Sequence, residues 1–305
     1  MKFEVTILGS SSATPIFNRN PTAQALNIND HWYLIDCGEG TQQQMLRFDV
    51  KASRIDHIFI SHLHGDHYLG LVGLLSSLHL NGRKKAIKIY GPPRLKEIID
   101  LQLSYSETTL QYPMEFNFTS AERAEVILDN QDITVESIPL DHGIACTGFL
   151  FKEKKRLRKL LKEKLEEFNI PVAYYTALKK GADYIAPDGK VYKNDILTAD
   201  SEQPMSYAYC SDTLFNEAYF KQISDVTVLY HEATFLHNML DRANETHHTT
   251  AQQAAEIALK TNAKKLLIGH FSARYKTLNE LLDEARSIFP ATELAIEGRT
   301  FVVGE

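Results

Sequence analysis

The chain has 305 residues, 44% of them hydrophobic and 24% charged, with a formal net charge of -6. That is the make-up of a globular protein holding one large domain or two modest ones, with no overall attraction to nucleic acid and no expectation of DNA binding. No apolar run approaches the ~20 residues that cross a bilayer, and the start MKFEVTILGSSS has the pattern of a strand and turn, not of a secretion signal. The expected compartment is therefore the cytoplasm, with no membrane partner.

Runs of β-branched and aromatic residues predict strands over 3–8, 25–28, 32–36 and 55–60, separated by Gly, Ser, Asn and Pro. Directly after the fourth comes Ser61-His62-Leu63-His64-Gly65-Asp66-His67, then a helix beginning at Tyr68. A strand over 87–90 leads through Gly91-Pro92-Pro93 into a helix over 94–103, in which Leu95, Ile98, Ile99 and Leu103 keep helical spacing. Strands follow over 115–118, 125–128, 133–138 and 148–151.

At Lys152 the composition shifts, and KEKKRLRKLLKEK carries eight Lys or Arg against two Glu. Leu157, Leu160, Leu161, Leu165 and Phe168 have helical spacing, so a basic amphipathic helix is expected here, either on an inserted arm over 152–200 or as a solvated surface helix. Further strands are expected over 207–210, 226–230 and 266–268, with helices over 250–260, opened by Thr249, and over 278–288. Two β-rich halves with helices around them suggest a sheet sandwich enclosed by helices. Cys37, Cys146 and Cys210 stand far apart with no C-x-x-C pair, which fits buried thiols and neither a disulfide framework nor a structural zinc knot.

Three imidazoles and a carboxylate within six residues are the chemical outline of a metal site, because neutral imidazole suits Zn²⁺ and a carboxylate adds charge. An ordinary loop would gain nothing from desolvating three such rings. His142, Asp212 and His270 each stand just after a predicted strand beside a small residue, and together with the loop they make five histidines and two carboxylates. Taken singly, Asp212 can cap a helix and either histidine can be a hydrogen-bonded turn residue. As a set they are enough for two metals sharing one carboxylate. His31, His57, His79, His231 and His237 are expected to be structural or surface residues.

H-x-H-x-D-H after a strand, followed in order by His, Asp and His, resembles the metallo-β-lactamase superfamily over nearly the whole chain. Within it the chain is most similar to the ribonuclease Z family, which trims the 3′ end of precursor tRNA. The narrower resemblance is carried by Ser211-Asp212-Thr213, by His231-Glu232-Ala233-Thr234-Phe235, by His248-Thr249-Thr250 with Gln252-Gln253-Ala254-Ala255, and by Gly269-His270-Phe271-Ser272-Ala273-Arg274-Tyr275.

The resemblance implies an α/β (α+β) fold, a single αββα four-layer sandwich over 1–305 with the exosite arm inserted at 152–200. It implies two Zn²⁺ per subunit, one on His62, His64 and His142 and one on Asp66, His67 and His270, bridged by Asp212; the same ligands also accept Mn²⁺, Fe²⁺ or Co²⁺. Asp66 would be the base, His248 the acid and Glu232 its orienting partner. Between His247 and His248 composition does not choose; the Thr249-Thr250 pair favours His248.

Phosphate contacts are expected from Arg19, Lys154, Lys155, Arg156, Arg158, Lys159, Lys162 and Arg274, with precursor tRNA as substrate and a homodimer as the assembly. Two departures from the family stand out. The arm lacks a plain Gly-Pro-rich tip around Pro171, and Phe17 replaces the lysine of a Pro-x-Lys-x-Arg-Asn loop associated with handling the CCA end. Two other classes compete: a hydrolase of small phosphodiesters or esters on the same fold, and a non-catalytic RNA-binding protein whose metals only stabilise it.

Overall fold

The computed structural model describes residues 2–16, 19–201 and 203–304, so Phe17 lies outside the described residues. Two compact units are present, one formed by Met1–Lys152 with Met205–Glu305 and one by Glu153–Pro204.

The strands of the first unit, in chain order, begin with β1 (Phe3–Gly9), β2 (Ala23–Ile28), β3 (His31–Ile35), β4 (Ile55–Phe59), β5 (Ile87–Gly91), β6 (Met114–Phe118), β7 (Val126–Asp129), β8 (Ile133–Leu140) and β9 (Cys146–Glu153). The second unit contributes β10 (Lys159–Leu160), β11 (Tyr184–Ile185), β12 (Val191–Tyr192) and β13 (Thr198–Ala199). The first unit then resumes with β14 (Ser206–Cys210), β15 (Val228–Glu232), β16 (Lys265–Gly269), β17 (Thr292–Leu294) and β18 (Thr300–Val302).

Two seven-stranded sheets result, ordered β18-β1-β2-β3-β4-β5-β6 and β17-β16-β15-β14-β9-β8-β7. Period-2 alternation explains why both are buried on both faces. Phe3, Val5, Tyr33 and Phe59 of the first sheet meet Phe149, Phe151, Tyr209 and Tyr230 of the second in one inter-sheet core. Phe59 stacks on Tyr90 at 4.4 Å and Tyr209 on Tyr230 at 4.9 Å.

The alternate residues point the other way. Leu34, Ile58 and Ile60 pack with Leu71, Leu74, Leu75 and Ile99 of the helices Leu71–Leu80 and Arg94–Tyr105. Leu150, Ala208 and Ile268 pack with Ala254, Ile257 and Leu281 of the helices Ala251–Lys260 and Asn279–Arg286. Helix, sheet, sheet and helix are thus the four layers expected. All three cysteines are buried and free, and among the described residues no helix is long and apolar enough to cross a membrane.

Three local expectations are corrected. The helix after the metal loop is two pieces, Gly65–Tyr68 and Leu71–Leu80; between them Gly70 lies so close to the carbonyl of Gly38 that an added Cβ would sit 2.2 Å from its oxygen. The helix Ala251–Lys260 is capped by Thr250 and not Thr249, through a capping box with Gln253, a device that stabilises by roughly 1 kcal/mol. Thr249 instead donates its hydroxyl to the carbonyl of Thr213 at 2.5 Å.

The third correction concerns the basic run, which is not one amphipathic helix. Only Lys162–Glu167 is helical, and Lys159–Leu160 pairs with Thr198–Ala199 instead. Helix formation from 154 to 161 would stack like charges at i,i+3 and i,i+4 spacing, which is unfavourable. The small core of this unit, Leu165, Ile170, Leu178, Tyr184 and Leu197, takes up Leu160 and Phe168 at its edge and leaves Leu157 exposed.

Candidate active site

The site forms where chain leaves the carboxyl ends of strands. The loop 61–67 follows β4, His142 follows β8, Asp212 follows β14, Thr234 follows β15 and His270 follows β16. Parallel pairing of β14, β15 and β16 puts the last three exits side by side, the place where open α/β sheets gather functional groups. Gly269 permits this, since a Cβ there would meet the Tyr230 hydroxyl at 2.4 Å.

Two groups of donor atoms converge. His62 Nε2 and His142 Nε2 each lie 3.1 Å from His64 Nδ1, and they lie 3.6 and 3.8 Å from Asp212 Oδ2. Asp66 Oδ2 lies 3.5 Å from His67 Nε2 and 3.4 Å from His270 Nε2. Asp212 Oδ1 is 3.5 Å from His67 Nε2 and 3.2 Å from His270 Nε2. Asp212 therefore turns one oxygen to each group.

Ligands held about 2.0 to 2.1 Å from a tetrahedral ion are spaced roughly 3.3 to 3.4 Å apart, close to the spacings found. His67 Nε2 is buried with no hydrogen-bond partner, so a cation there would satisfy it. The residues therefore fit divalent cations.

The nitrogens on the far side of most of the rings are held. His67 Nδ1 donates to Asp36 Oδ2 at 2.7 Å, His142 Nδ1 to the His247 carbonyl at 2.9 Å and His270 Nδ1 to Thr234 Oγ1 at 2.9 Å, while His62 Nδ1 lies 3.0 Å from Ser61 Oγ. Such partners orient metal-binding imidazoles and raise their basicity. The Thr234 hydroxyl donates to Glu232 Oε2 at 2.6 Å, and Glu232 Oε1 accepts from His248 Nδ1 at 2.9 Å and from the Thr213 amide. The fully buried Glu232 thus links His248 to His270, and His248 Nε2 is left for the cavity.

Charge follows from this packing. Burial disfavours charged Asp66 and Asp212, yet the facing imidazoles hold both carboxyls below the usual range. Burial works against a charged His67 as well, but Asp212, Asp66 and Asp36 draw it well above an ordinary histidine. Burial lowers His62 and His142. For His248, burial is outweighed by Glu232, which raises the ring to about 9.

The sequence pattern assigns no role to four contributors. Asp36 binds the Ser61 amide and hydroxyl at 2.8 and 2.9 Å, His67 and the Tyr209 hydroxyl. Ser61 and Thr234 orient rings, and the amide of Ala13 donates to Asp66 Oδ2 at 2.7 Å. Asp36, His270 and Ala13 have φ of 54°, 57° and 59°, strained values of the sort that functional sites retain.

Asp36→Ala removes a buried acceptor from four donors. It should destabilise the fold by about 3 kcal/mol or more and weaken metal affinity by roughly 10- to 100-fold. Thermal unfolding and chelator competition measure these, and wild-type metal affinity in the variant would contradict the assignment.

A cavity of about 470 Å³ opens over the donors, lined by Asp66, His248, Phe235, Arg274, Ser12 and Thr246 among others. Arg274 lies over the Phe235 ring at 5.5 Å. Arg19 is turned elsewhere, its Nη2 donating to the carbonyls of Ser272 and Tyr275. His231 is buried between Tyr219 and its neighbour's carbonyl, and His247 supplies His142 with its carbonyl and not its ring.

In the second unit Lys155, Lys159 and Lys162 are exposed, Lys154 is half-buried, Arg156 pairs with Glu153 and Arg158 with Asp200.

The family described as Anti-Pycsar protein Apyc1 matches residues 3–157. The metallo-β-lactamase fold protein YhfI from Bacillus subtilis superposes with a TM-score of 0.69 at 16% identity, covering 99% of each chain. The fold is that of the metallo-β-lactamase-fold proteins.

A ribonuclease Z from Bacteroides fragilis is 45% identical over 97% of both chains, and one from Cytophaga hutchinsonii is 50% identical over 100% of this chain and 97% of its own. The short form of human tRNase Z superposes with a TM-score of 0.70 at 26% identity, covering 99% of this chain and 100% of that one. The chain belongs to the ribonuclease Z family and is an endoribonuclease.

Proposed function

We propose that this enzyme removes the 3′ trailer of precursor tRNA, using two divalent cations, Zn²⁺ by preference. The observation that carries the reading is Asp212, whose two oxygens face two separate donor groups. His62, His64 and His142 would hold one ion, Asp66, His67 and His270 the other. Such a pair, when bound, lowers the pKa of water and stabilises charge on a phosphoryl group in in-line displacement.

The chain's own groups manage the protons. Asp66, its Oδ2 turned to the donor group and steadied by the Ala13 amide, orients the attacking water and receives its proton on the other carboxylate oxygen. His248 Nε2 gives a proton to the departing ribose O3′ as the phosphorus–O3′ bond breaks, and Glu232 holds the donor in place and in its charged state. The products are a 3′-hydroxyl on the tRNA and a 5′-phosphate on the trailer.

Residues 152–200 act in this reading as an inserted arm within a single catalytic domain, touching tRNA phosphates through exposed lysines, and the enzyme works as a homodimer in the cytoplasm. Sedimentation at twice the chain mass is the check on assembly. Arg274 is the remaining phosphate contact.

The test is to incubate the purified enzyme with precursors that contain or lack CCA and to map both new termini. A 3′-hydroxyl with a 5′-phosphate is expected; hydrolysis of bis(p-nitrophenyl) phosphate with no cleavage of precursor would transfer the enzyme to a small-ester class. In the same assay, replacing Lys155, Lys159 and Lys162 together by alanine should raise the KM for precursor and flatten the salt dependence by about one logarithmic slope unit per lost phosphate contact. Hydrolysis of the small diester should stay unchanged, and an unaltered salt slope would remove the arm's assigned role.

A further inference from the structure

The setting of the Asp66 carboxylate depends on a loop that is itself under strain. Ala13 donates its amide to Asp66 Oδ2 at 2.7 Å from a φ of 59°, and the next amide, Thr14, folds back onto the Ser12 carbonyl at 2.7 Å. This is the three-residue turn with positive φ that is rare for any residue other than glycine. Strain of this sort persists only where the surroundings over-determine it.

Backbone bonds of Ser10 and Ser12 to Phe271 and the Ser11 hydroxyl on the Thr14 carbonyl hold part of the loop; a further restraint lies at its base, in a side chain that the mechanism does not use. Glu297 Oε1 accepts the Asn20 amide at 2.7 Å and the Ser10 amide and hydroxyl at 3.3 and 3.4 Å. Its Oε2 accepts Gln44 Nε2 at 2.7 Å, and the same Gln44 amide donates to the Leu8 carbonyl at 2.9 Å. One carboxyl group thus ties both ends of the 10–20 loop to each other and to the helix Thr41–Arg47. Beside it, the amides of Ser10 and Ser11 both donate to the Asn20 carbonyl at 3.0 Å. Removing the carboxyl would leave the Ser10, Asn20 and Gln44 donors short of an acceptor together.

We propose that Glu297 is a positioning residue for Asp66: it clasps the two ends of the 10–20 loop and so sets the Ala13 amide on Asp66 Oδ2. The proposal rests on the assignment of Asp66 as the acceptor for the attacking water. Burial pushes Glu297 up to about 7 against the loop amides and Arg19, so a neutral side chain that keeps an acceptor oxygen is a fair replacement. That makes glutamine the conservative variant and alanine the disruptive one.

The experiment compares wild type, Glu297→Ala and Glu297→Gln by steady-state hydrolysis of bis(p-nitrophenyl) phosphate and of precursor tRNA, by hydrogen exchange across residues 10–20 and by metal content. Glu297→Ala should lower kcat on both substrates about tenfold, within the loss expected for a misplaced reacting group. The KM is read on the small diester and should stay within about threefold of wild type there, because the 10–20 loop also holds the 15–20 segment associated with the CCA end. Exchange at the Ala13 amide should accelerate at least about tenfold, with metal content unchanged, and Glu297→Gln, which keeps the acceptor for the Ser10 and Asn20 amides but turns an NH2 toward Gln44 Nε2, should recover part of the loss.

A lowered Tm with wild-type kcat and wild-type exchange at Ala13 would reduce Glu297 to a stabilising residue and overturn the proposal. If Glu297→Ala does not fold, Glu297→Asp serves, since its shorter side chain cannot reach both loop ends. Failure of the tRNA assignment would show separately, as wild-type enzyme that leaves precursor uncut while the small diester and the exchange readouts still report on Glu297.

Discussion

Asp66→Asn is expected to lower kcat by about 10³- to 10⁴-fold on precursor tRNA and on bis(p-nitrophenyl) phosphate alike. The side chain keeps its volume, so the Ala13 amide can still bond to the remaining carbonyl oxygen, but two functions are lost. The first is proton acceptance from the attacking water, worth roughly 10²- to 10⁴-fold for a positioned base. The second is negative charge facing His67 Nε2 and His270 Nε2 at 3.5 and 3.4 Å, without which one donor group becomes two neutral rings and a shared Asp212 oxygen. Metal content should fall at limiting metal, and adding metal should restore occupancy without restoring the rate. Affinity for precursor should remain within about twofold, since the phosphate contacts lie on other side chains. A variant within tenfold of wild type at saturating metal would show that another group receives the proton.

The loop 61–67 was legible because its neighbours in sequence are also neighbours in space, so residue type and spacing alone announce the chemistry. The contribution of Asp36 was not, since its partners Ser61, His67 and Tyr209 come from two loop positions and from β14, 25 to 173 residues away. Ala13 acts through its backbone, and no side-chain pattern records that.

Runs of β-branched and aromatic residues in two halves with helices around them pointed to the sandwich, because strands buried on both faces are apolar nearly throughout, and their boundaries were accurate to a few residues. The short edge strands Thr292–Leu294 and Thr300–Val302 and the helix Thr41–Arg47 carry too few periodic positions to stand out. The basic run failed for a different reason. Its leucines do have helical spacing, but charge repulsion and pairing of Lys159–Leu160 with Thr198–Ala199 override a periodicity that only five positions support. Arg19 Nη2 donates to the carbonyls of Ser272 and Tyr275, partners that residue type cannot foretell.

His248→Ala should separate the two substrates that Asp66→Asn does not. A ribose alkoxide is a poor leaving group and needs the proton from Nε2, whereas p-nitrophenolate departs as a stable anion. The variant should therefore lose about 10²- to 10³-fold in kcat on precursor tRNA and less than about tenfold on the small diester. Equal losses on both would make His248 an electrostatic or positioning residue and not the acid.

The pH dependence carries the same assignment. Glu232 raises His248 to about 9, above the unfolded value of 6.5, so the ion pair's contribution to stability is full below 6.5 and is lost as pH rises through about 9. The competent acid is likewise present through neutrality and lost on the alkaline side, at or below about 9 once cations on the neighbouring groups add their repulsion. Glu232→Gln removes the charge that raises the ring, and the alkaline limb of kcat on precursor should move to lower pH while hydrolysis of the small diester keeps its profile. An alkaline limb that stays in place in Glu232→Gln would show that some other group supplies the proton to O3′.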